Sequence, residues 1–280
     1  MSLKNNDCSI NIEIKKVKDF WEENPLTSYE IKEELGSLDF FKEHDRIKYE
    51  DIDKYTIELH EFDKHQNEFV LDLGCGPGFF SRNYAKNNAK VVSVDLTFNA
   101  VKLVKKSFSL FNLKGIMIEA NAENLPFKNC SFDFICCVGV LHHTPKTEQA
   151  IKEIYRVLKP KKNAIISIYY RNILLTKIGW HFTKFFAKLL LNSLPEKRRN
   201  LLAAESPEDF VRCYDGNENP LGKLYSKKEA FDLVNMFKIK KYSVHYFPMR
   251  FSKILNNLPG FIHKMLDKWL GVLIFLTLEK

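Results

Sequence analysis

The residues best suited to chemistry in this 280-residue sequence surround a glycine-rich segment, VLDLGCGPG at residues 70–78. Glycines let the backbone turn sharply and bring a ligand against the peptide groups. The nicotinamide or flavin fingerprint needs a small residue at position 79, where this chain has Phe79. A Walker loop needs a Gly-Lys-Ser/Thr ending, which the segment lacks. The loop therefore suits a ligand that has no pyrophosphate.

Two adjacent histidines, His142 and His143, form the second candidate group. An imidazole there can accept a proton near neutral pH, or it can order its loop by bonding to the backbone. If one of the two acts as a base, His143 is preferred. Cys136 and Cys137 are also adjacent, and neighbours along a strand point to opposite faces. Because zinc spacing such as C-x₂-C is absent as well, we expect no metal site.

The elements that must position these residues follow a βαβ rhythm. Five short apolar runs cover residues 69–73, 91–95, 115–119, 132–138 and 164–170. Strands that are short and continuously apolar belong in a parallel sheet covered on both faces. Two further strand candidates, 238–247 and 271–278, follow an interruption and are separated by a second insert.

Helix boundaries between the strands are also readable. Thr97 predicts an N-cap, and Thr144–Pro145 predicts the N-cap and first turn of a later helix. Lys159–Pro160 predicts the end of that helix. The residues SKKE at 226–229 predict a capping box that opens a helix reaching to Phe237.

Five ordered motifs resemble those of the class I S-adenosylmethionine-dependent methyltransferases, most closely the type 11 group that contains ubiquinone and menaquinone methyltransferases. The motifs are DLGCGPG at 72–78, Asp95 closing the second strand, ANAENLPF at 120–127, SFDFI at 131–135 and EIYRVLKP at 153–160. The resemblance covers residues 69–170. It implies a Rossmann-like α/β fold with a seven-stranded, mostly parallel sheet whose last strand is antiparallel.

The resemblance also implies S-adenosylmethionine as cofactor. Asp72 and the carbonyls near Gly74 would meet its ammonium group, and Asp95 would accept from both ribose hydroxyls. Where the family places an Asp beside the adenine amino group, this chain has Asn121, whose carbonyl still accepts a hydrogen bond without the charge. The expected set is Asp72, Gly74, Cys75, Gly76, Gly78, Asp95, Leu96, Asn121, Ala122 and Val138, with Phe20 and Trp21 from an N-terminal helix.

The chain divides into four parts: a helical cap at 1–68, the core at 69–170, an inserted lid or substrate region at 171–225, and a C-terminal part of the core sheet at 226–280. The residues expected to meet the acceptor are Tyr169, Tyr170, Arg171, Tyr214 and Tyr225. Residues 173–194 read as an apolar helix with one narrow basic stripe. That pattern favours a lid over the site, with a membrane-surface helix as the alternative.

The net charge of +8 is unevenly distributed. Residues 1–70 carry 10 Lys and Arg against 18 Asp and Glu, whereas residues 171–280 carry 19 against 10. A basic body is typical of proteins that bind nucleic acid or anionic lipid, and equally of a solvated surface. The sequence shows no signal peptide, no 18-residue apolar stretch and no cysteine framework, so we expect a cytoplasmic protein with at most peripheral membrane contact.

Together these features predict an enzyme that methylates a small-molecule acceptor of natural-product, quinone or lipid type, preferentially on oxygen. The protein would mainly hold nucleophile, methyl group and sulfur in line. Two alternatives stay open: a tRNA or RNA methyltransferase, and a cofactor-binding protein without turnover. Against the first, the sequence has no Asn-Pro-Pro-Tyr type motif and no Pro-Cys nucleophile.

Overall fold

A seven-stranded sheet forms the centre of the computed structural model, which describes residues 3–25, 31–52, 54, 56–189, 204–216, 218–247 and 257–280. The strands are β1 (Phe69–Leu73), β2 (Lys90–Asp95), β3 (Gly115–Glu119), β4 (Phe132–Cys137), β5 (Leu158–Tyr169), β6 (Lys238–His245) and β7 (Leu273–Glu279). Their order is β3-β2-β1-β4-β5-β7-β6. Strands β1 to β5 are parallel, and β7 is antiparallel to both of its neighbours. This topology confirms the Rossmann-like fold expected from the sequence.

Helices cover both faces of the sheet, because its central strands are apolar on both sides. They are α1 (Leu3–Glu23), α2 (Leu38–Ile47), α3 (Phe79–Lys86), α4 (Phe98–Leu110), α5 (Thr147–Val157), α6 (Lys177–Leu189), α7 (Pro207–Tyr214), α8 (Lys227–Leu233) and α9 (Gly260–Leu270). Ile151 of α5 and Ala230 of α8 are buried on one face, and Phe79 of α3 and Phe108 of α4 on the other. None of the described helices has the length and apolar character needed to cross a membrane.

Two of the predicted helix starts are confirmed. The Thr97 side chain accepts a hydrogen bond from the Ala100 N–H at the start of α4. Ser226 and Glu229 form the expected capping box at the start of α8, which then ends at Leu233 rather than at Phe237.

The predicted start of α5 at Thr144–Pro145 is wrong, since the helix begins at Thr147. The Thr144 hydroxyl donates instead to the Val140 carbonyl, 3.1 Å away. The N–H of Lys146, just before the helix, donates to the Glu123 carboxylate at 2.7 Å. A group that is distant in sequence therefore supplies the cap that a local threonine was expected to give.

The helix ends at Val157, as Lys159–Pro160 indicated, yet β5 begins at once and contains Pro160. The register between β4 and β5 shifts between Phe132 and Phe134. Such an irregularity accommodates a proline, which has no N–H to donate to the neighbouring strand. The four-part division of the chain stays a prediction, although strands of its second and fourth parts share one sheet.

Candidate active site

A cavity of about 550 Å³ lies at the carboxyl ends of β1, β2, β4 and β5, where open α/β sheets bind ligands. Most residues expected to hold a cofactor line it: Gly74, Cys75, Gly76, Asp95, Leu96, Asn121, Ala122, Val138 and Trp21. His142, His143 and Tyr169 line the same cavity. The fold therefore joins the glycine loop and the histidine pair in one space.

Two glycines give the loop its shape. Gly74 has φ +76°, and a Cβ there would lie 2.0 Å from Val140 Cγ2, so only glycine fits that close approach. The Gly74 N–H donates to the Val94 carbonyl at 2.7 Å, which fixes the turn on β2. Gly76 has φ +48°, and a Cβ there would meet nothing within 4 Å. The loop is thus packed tightly at Gly74 and open at Gly76.

Asp95 is held by the loop and by the next helix. Its Oδ2 accepts from the Gly76 N–H at 3.0 Å, and its Oδ1 accepts from the Thr97 N–H at 3.0 Å and the Thr97 hydroxyl at 2.9 Å. Burial raises the pKa of Asp95, and these hydrogen bonds oppose that rise. A carboxylate offers about four lone-pair sites. Oδ2 accepts only the Gly76 N–H among the hydrogen bonds given above, so that oxygen keeps a lone pair for a ligand beside Gly76.

Asp72 lies beneath the loop and is absent from the cavity lining formed by the described residues. Its Oδ2 accepts from the Ser81 N–H at 2.9 Å and from the Ser81 hydroxyl, which also contacts the Ser93 hydroxyl. Burial raises the pKa of Asp72 to about 6, against the opposing effect of these hydrogen bonds. Asp72 therefore ties α3 to β1 through Oδ2, and its expected contact with the cofactor stays a prediction.

Asn121 lines the cavity, with its side-chain carbonyl already engaged. Its Oδ1 accepts from the Glu123 N–H at 2.9 Å, which also identifies this atom as the oxygen of the amide. A second lone pair stays available on that oxygen. The loop around Asn121 is therefore ordered by the residue expected to meet the adenine.

His143 is held between two hydrogen-bond acceptors. Its Nδ1 lies 2.6 Å from the Leu221 carbonyl oxygen, and its Nε2 lies 3.1 Å from Oδ2 of Asp215. A carbonyl cannot donate, so Nδ1 carries a proton, and a second proton must lie between Nε2 and the carboxylate. The Tyr169 hydroxyl donates to the same carboxylate oxygen. In this arrangement His143 has no free lone pair.

His142 is the other imidazole at this end of the cavity. Its ring centroid lies 3.9 Å from that of Tyr169 and 4.3 Å from that of His143. Burial, followed by the neighbouring His143, lowers the pKa of His142 well below its ordinary value, so the ring is neutral at neutral pH. Its Nδ1 has no hydrogen-bond partner among the described residues. His142 therefore places a neutral imidazole in the cavity wall.

The same cluster is the place where a metal ion could be held. His142, His143 and Asp215 bring one ligand atom each within 4.8 Å of one another. Ligands of a tetrahedral zinc ion lie about 3.4 Å apart, given metal–ligand distances of about 2.1 Å. The distance of 3.1 Å between His143 Nε2 and Asp215 Oδ2 is short enough for two ligands of one ion, yet these two atoms already bond to each other through a proton. The expectation that the protein holds no metal was based on the cysteine and histidine pairs and did not include Asp215. It therefore stays a prediction.

Several predicted residues lie outside the cavity lining. Gly78 is the N-cap of α3. Tyr170 forms a bridge with Tyr225, whose hydroxyl donates to Thr147. Arg171 forms an ion pair with Glu208, with an N–O distance of 2.8 Å. The Tyr214 side chain lies outside the described residues.

The N-terminal helix contributes one of its two predicted aromatic residues. Trp21 lines the cavity, and its ring meets His143 edge-on with the centroids 5.2 Å apart. Phe20 packs edge-on against Trp21 and covers Gly216, where a Cβ would lie 2.8 Å from the Phe20 ring. Phe20 therefore supports the wall that Trp21 forms.

The inserted region contributes to the site through the end of α7, not through α6. None of the described residues of α6 lines the cavity. The lid expected over residues 173–194 stays a prediction, and residues 190–194 lie outside the described residues. Asp215, directly after α7, lines it and meets His143. No local sequence pattern relates Asp215 to a histidine 72 positions away.

A second wall was missed from the sequence altogether. It comes from the end of β6 and from α9, and it includes His245, Tyr246, His263 and Asp267. Burial raises the pKa of Asp267 to about 6, while the Phe247 N–H donates to its Oδ1 at 2.8 Å. The only signal in the sequence was the position of the second insert between the last two strands.

Comparison with known proteins matches the core to one domain family. The methyltransferase domain family matches residues 71–166. That segment runs from β1 into β5 and includes the glycine loop, Asp95, Asn121 and the histidine pair.

Relatives extend the match beyond the core. An uncharacterised protein of Methanocaldococcus jannaschii is 34% identical over 223 residues, which cover 75% of this chain and 81% of the relative. The ubiquinone biosynthesis O-methyltransferase of Idiomarina loihiensis is 32% identical over 150 residues, which cover 52% of this chain and 59% of that enzyme, less than two thirds of its length. A crystal structure of a SAM-dependent methyltransferase from Methanosarcina mazei has the same fold, with a TM-score of 0.55, 23% identity, and coverage of 80% of this chain and 97% of that chain.

Proposed function

The chain belongs to the class I S-adenosylmethionine-dependent methyltransferases, and we propose that it methylates a hydroxyl oxygen of a small apolar or aromatic acceptor. S-adenosylmethionine is its cofactor, and a methyl transfer is its reaction. The acceptor, the acceptor atom and the roles of individual residues are the parts that this proposal adds.

The residues present fit the cofactor. The backbone is open at Gly76, beside a carboxylate with one unused lone-pair site. We assign the amino acid end of the cofactor to the peptide groups around Gly74 and Gly76, and one ribose hydroxyl to Asp95. The adenine would lie among Leu96, Asn121 and the neighbouring apolar wall. A second ribose hydroxyl bound to Asp95 would displace one of its present donors.

The observation that carries the proposed acceptor is that one cavity joins the glycine loop to an aromatic and apolar wall that ends in the histidine cluster. That wall includes Trp21, Tyr169, Tyr246, Phe247 and Leu258. Pockets that are mostly apolar with a few convergent polar groups bind ring-containing or tailed small molecules. The relative named for ubiquinone biosynthesis supports a phenol of quinone type as the acceptor.

The histidine cluster would receive the acceptor's hydroxyl. S-adenosylmethionine, when bound, supplies a methyl carbon on a positively charged sulfur. The acceptor oxygen would take this methyl group, and the proton that its hydroxyl loses would pass to the neutral imidazole of His142. We assign the hydrogen bond from that hydroxyl to His142, because His143 is held by Leu221 and Asp215 on both nitrogens. His143 can act as the base only if its contact with Asp215 opens.

Peripheral contact of residues 173–194 with a membrane is also part of this proposal, because a lipid-like acceptor is met at a membrane surface. An RNA acceptor is the remaining alternative for the substrate. The two acceptors differ in chemistry so strongly that one labelling experiment separates them.

Incubation of the full chain with methyl-labelled S-adenosylmethionine tests the proposal with two acceptors, a catechol that carries an isoprenoid chain and unmodified tRNA. We expect the label on a catechol oxygen, identified by mass spectrometry. Label in tRNA alone would replace the proposed acceptor. If a complete cell extract yields no S-adenosylhomocysteine, the protein binds its cofactor without turnover.

The role of His142 is tested with His142→Gln, which we expect to lower kcat at least tenfold while the cofactor's Kd changes less than twofold. His65→Gln is the matched control, because His65 is equally buried but bonds to Glu68 outside the cavity. An undiminished kcat in His142→Gln would transfer the role to His143.

A further inference from the structure

The outer face of α6 exposes large apolar side chains. Ile178 is 75% exposed and Phe182 is 62% exposed, and Phe185 lies on the same stripe. The opposite side of the helix is anchored, since Trp180 is buried against Phe210. The exposed stripe is therefore a stable feature of a packed helix.

A second helix, α9, repeats this pattern. Phe261 is 73% exposed and Trp269 is 69% exposed, with Met265 between them on the same stripe. The inner side of the helix faces the cavity through His263 and Asp267. One helix thus separates the cavity from an apolar outer surface.

The chain next to α6 contacts the end of α9. The Asn172 side-chain amide donates to the Leu270 carbonyl at 2.7 Å and to the Gly271 carbonyl at 3.0 Å. Ile173, directly after Asn172, is exposed as well. We call the outer faces of α6 and α9, with Ile173 between them, the two-helix surface.

The charges of the two-helix surface are of one sign. Helix α6, KIGWHFTKFFAKL, contains no acidic residue. Helix α9 has one, Asp267, which is buried and bonded to the Phe247 N–H. Lys177 on α6 and Lys264 and Lys268 on α9 are exposed beside the apolar stripes. Apolar and aromatic side chains on helices whose exposed charged residues are all cations complement a layer of anionic headgroups over acyl chains.

We propose that the two-helix surface docks this protein on an anionic lipid bilayer, with α9 as the common wall between the membrane and the cavity. Contiguous exposed apolar patches on globular proteins mark interaction sites. The absence of any acidic side chain on this face of the described residues favours anionic lipid over a second copy of the chain, which would oppose like charges. The proposal relies on the proposed function only for the route of the acceptor; docking itself needs no turnover.

Co-sedimentation of the full chain with vesicles tests the docking. We expect binding to vesicles of equal phosphatidylglycerol and phosphatidylcholine, and at least tenfold weaker binding to pure phosphatidylcholine, because each lysine near an anionic surface contributes about fivefold. The double variant Phe182→Ser/Trp269→Ser should bind at least tenfold more weakly. The matched control is Ile116→Ser, on the opposite edge of the sheet, where Ile116 is 57% exposed.

Two charge-reversal variants distinguish anionic lipid from other partners. Lys268→Glu should weaken binding at least tenfold, whereas Lys114→Glu, exposed near β3, should leave it within twofold. Cofactor affinity, measured by calorimetry, should stay unchanged in every variant. The proposal is overturned if a variant and its control lose vesicle binding equally, or if the wild-type chain does not bind anionic vesicles.

Three further results distinguish this inference from an interface between copies and from the proposed function. A wild-type dimer that Phe182→Ser/Trp269→Ser splits, without vesicle binding, would make the surface an interface between copies and overturn the docking. A chain that binds vesicles but methylates no isoprenoid catechol would support the surface and refute the proposed acceptor. A chain that methylates the catechol but does not bind vesicles would refute the docking surface and the membrane contact, and would leave the proposed acceptor supported.

Discussion

Alanine at two glycines of the loop should separate folding from cofactor binding. At Gly76, alanine must adopt φ +48° and places its Cβ in open space. A left-handed backbone costs a non-glycine residue about 1–2 kcal/mol. At Gly74 the same backbone cost applies, and the new Cβ also lies 2.0 Å from Val140 Cγ2. Overpacking of this kind adds about 1–3 kcal/mol.

The two variants should therefore fail in different assays. We expect Gly74→Ala to lower the free energy of unfolding by about 2–5 kcal/mol and Gly76→Ala by about 1–2 kcal/mol. Because the Gly76 Cβ would occupy the space assigned to the cofactor, Gly76→Ala should raise the Kd for S-adenosylmethionine at least tenfold, about 1.4 kcal/mol. Urea unfolding gives the stabilities, and calorimetric titration gives the Kd.

A strain control makes the comparison interpretable. Gly36 has φ +79° and lies outside the cavity lining, so Gly36→Ala bears the same backbone cost outside the glycine loop, with its Cβ 3.2 Å from Cδ2 of Leu103. It should lose stability like Gly76→Ala and bind the cofactor within twofold of wild type. If Gly76→Ala binds as tightly as Gly36→Ala, the open space at Gly76 is not the cofactor's place and the reasoning fails.

Three other predictions follow from the buried carboxylates and the histidine cluster. Folding raises the pKa of Asp72 from 3.8 to about 6, so the native state binds more protons between those values and wild type loses about 2 kcal/mol of stability as pH rises from 4 to 7. Asp72→Asn removes this loss, and urea unfolding at both pH values should show the difference; a pH-independent difference would contradict it. Asp215→Asn should lower kcat at least tenfold with cofactor Kd within twofold, because it removes the charge that holds His143, and an unchanged kcat would exclude that role. Dialysis against a chelator should leave kcat unchanged, whereas a loss that zinc restores would make the cluster with His142 a metal site.

The core of the fold was predictable because its signals are local. A continuous apolar run bounded by glycine or polar residues defined β1 and β3 with the same bounds that the structure shows. The glycine loop, Asp95 and Asn121 all line the cavity, because each follows a strand at the same edge of a parallel sheet. Sequence position and sheet topology together were enough to place them.

Contacts between distant segments were not predictable. Asp215 meets His143 only after α7 packs on the end of β5, and the Glu123 carboxylate replaces Thr144 in capping the start of α5. The Asp72 carboxylate bonds to Ser81, a partner that its motif did not indicate. In each case the partner is set by tertiary packing, which no periodicity in the sequence records.

The sequence also did not predict which face of α6 is exposed. Its stripe of lysines predicted one polar face correctly, but the pattern could not say which apolar residues would be covered. Trp180 is buried and Phe182 is exposed, although both belong to the same apolar set. The exposed apolar face of α9 was not predicted either, because the spacing of its basic and apolar residues is ordinary for a helix.

A crystal structure with S-adenosylhomocysteine bound is the most direct measurement of the central claim. We expect a ribose hydroxyl within about 3 Å of the Asp95 carboxylate, the amino acid end against the peptide groups at Gly76, and the sulfur directed toward the histidine cluster. A cofactor bound away from Asp95, or a sulfur directed away from His142 and Asp215, would contradict the account.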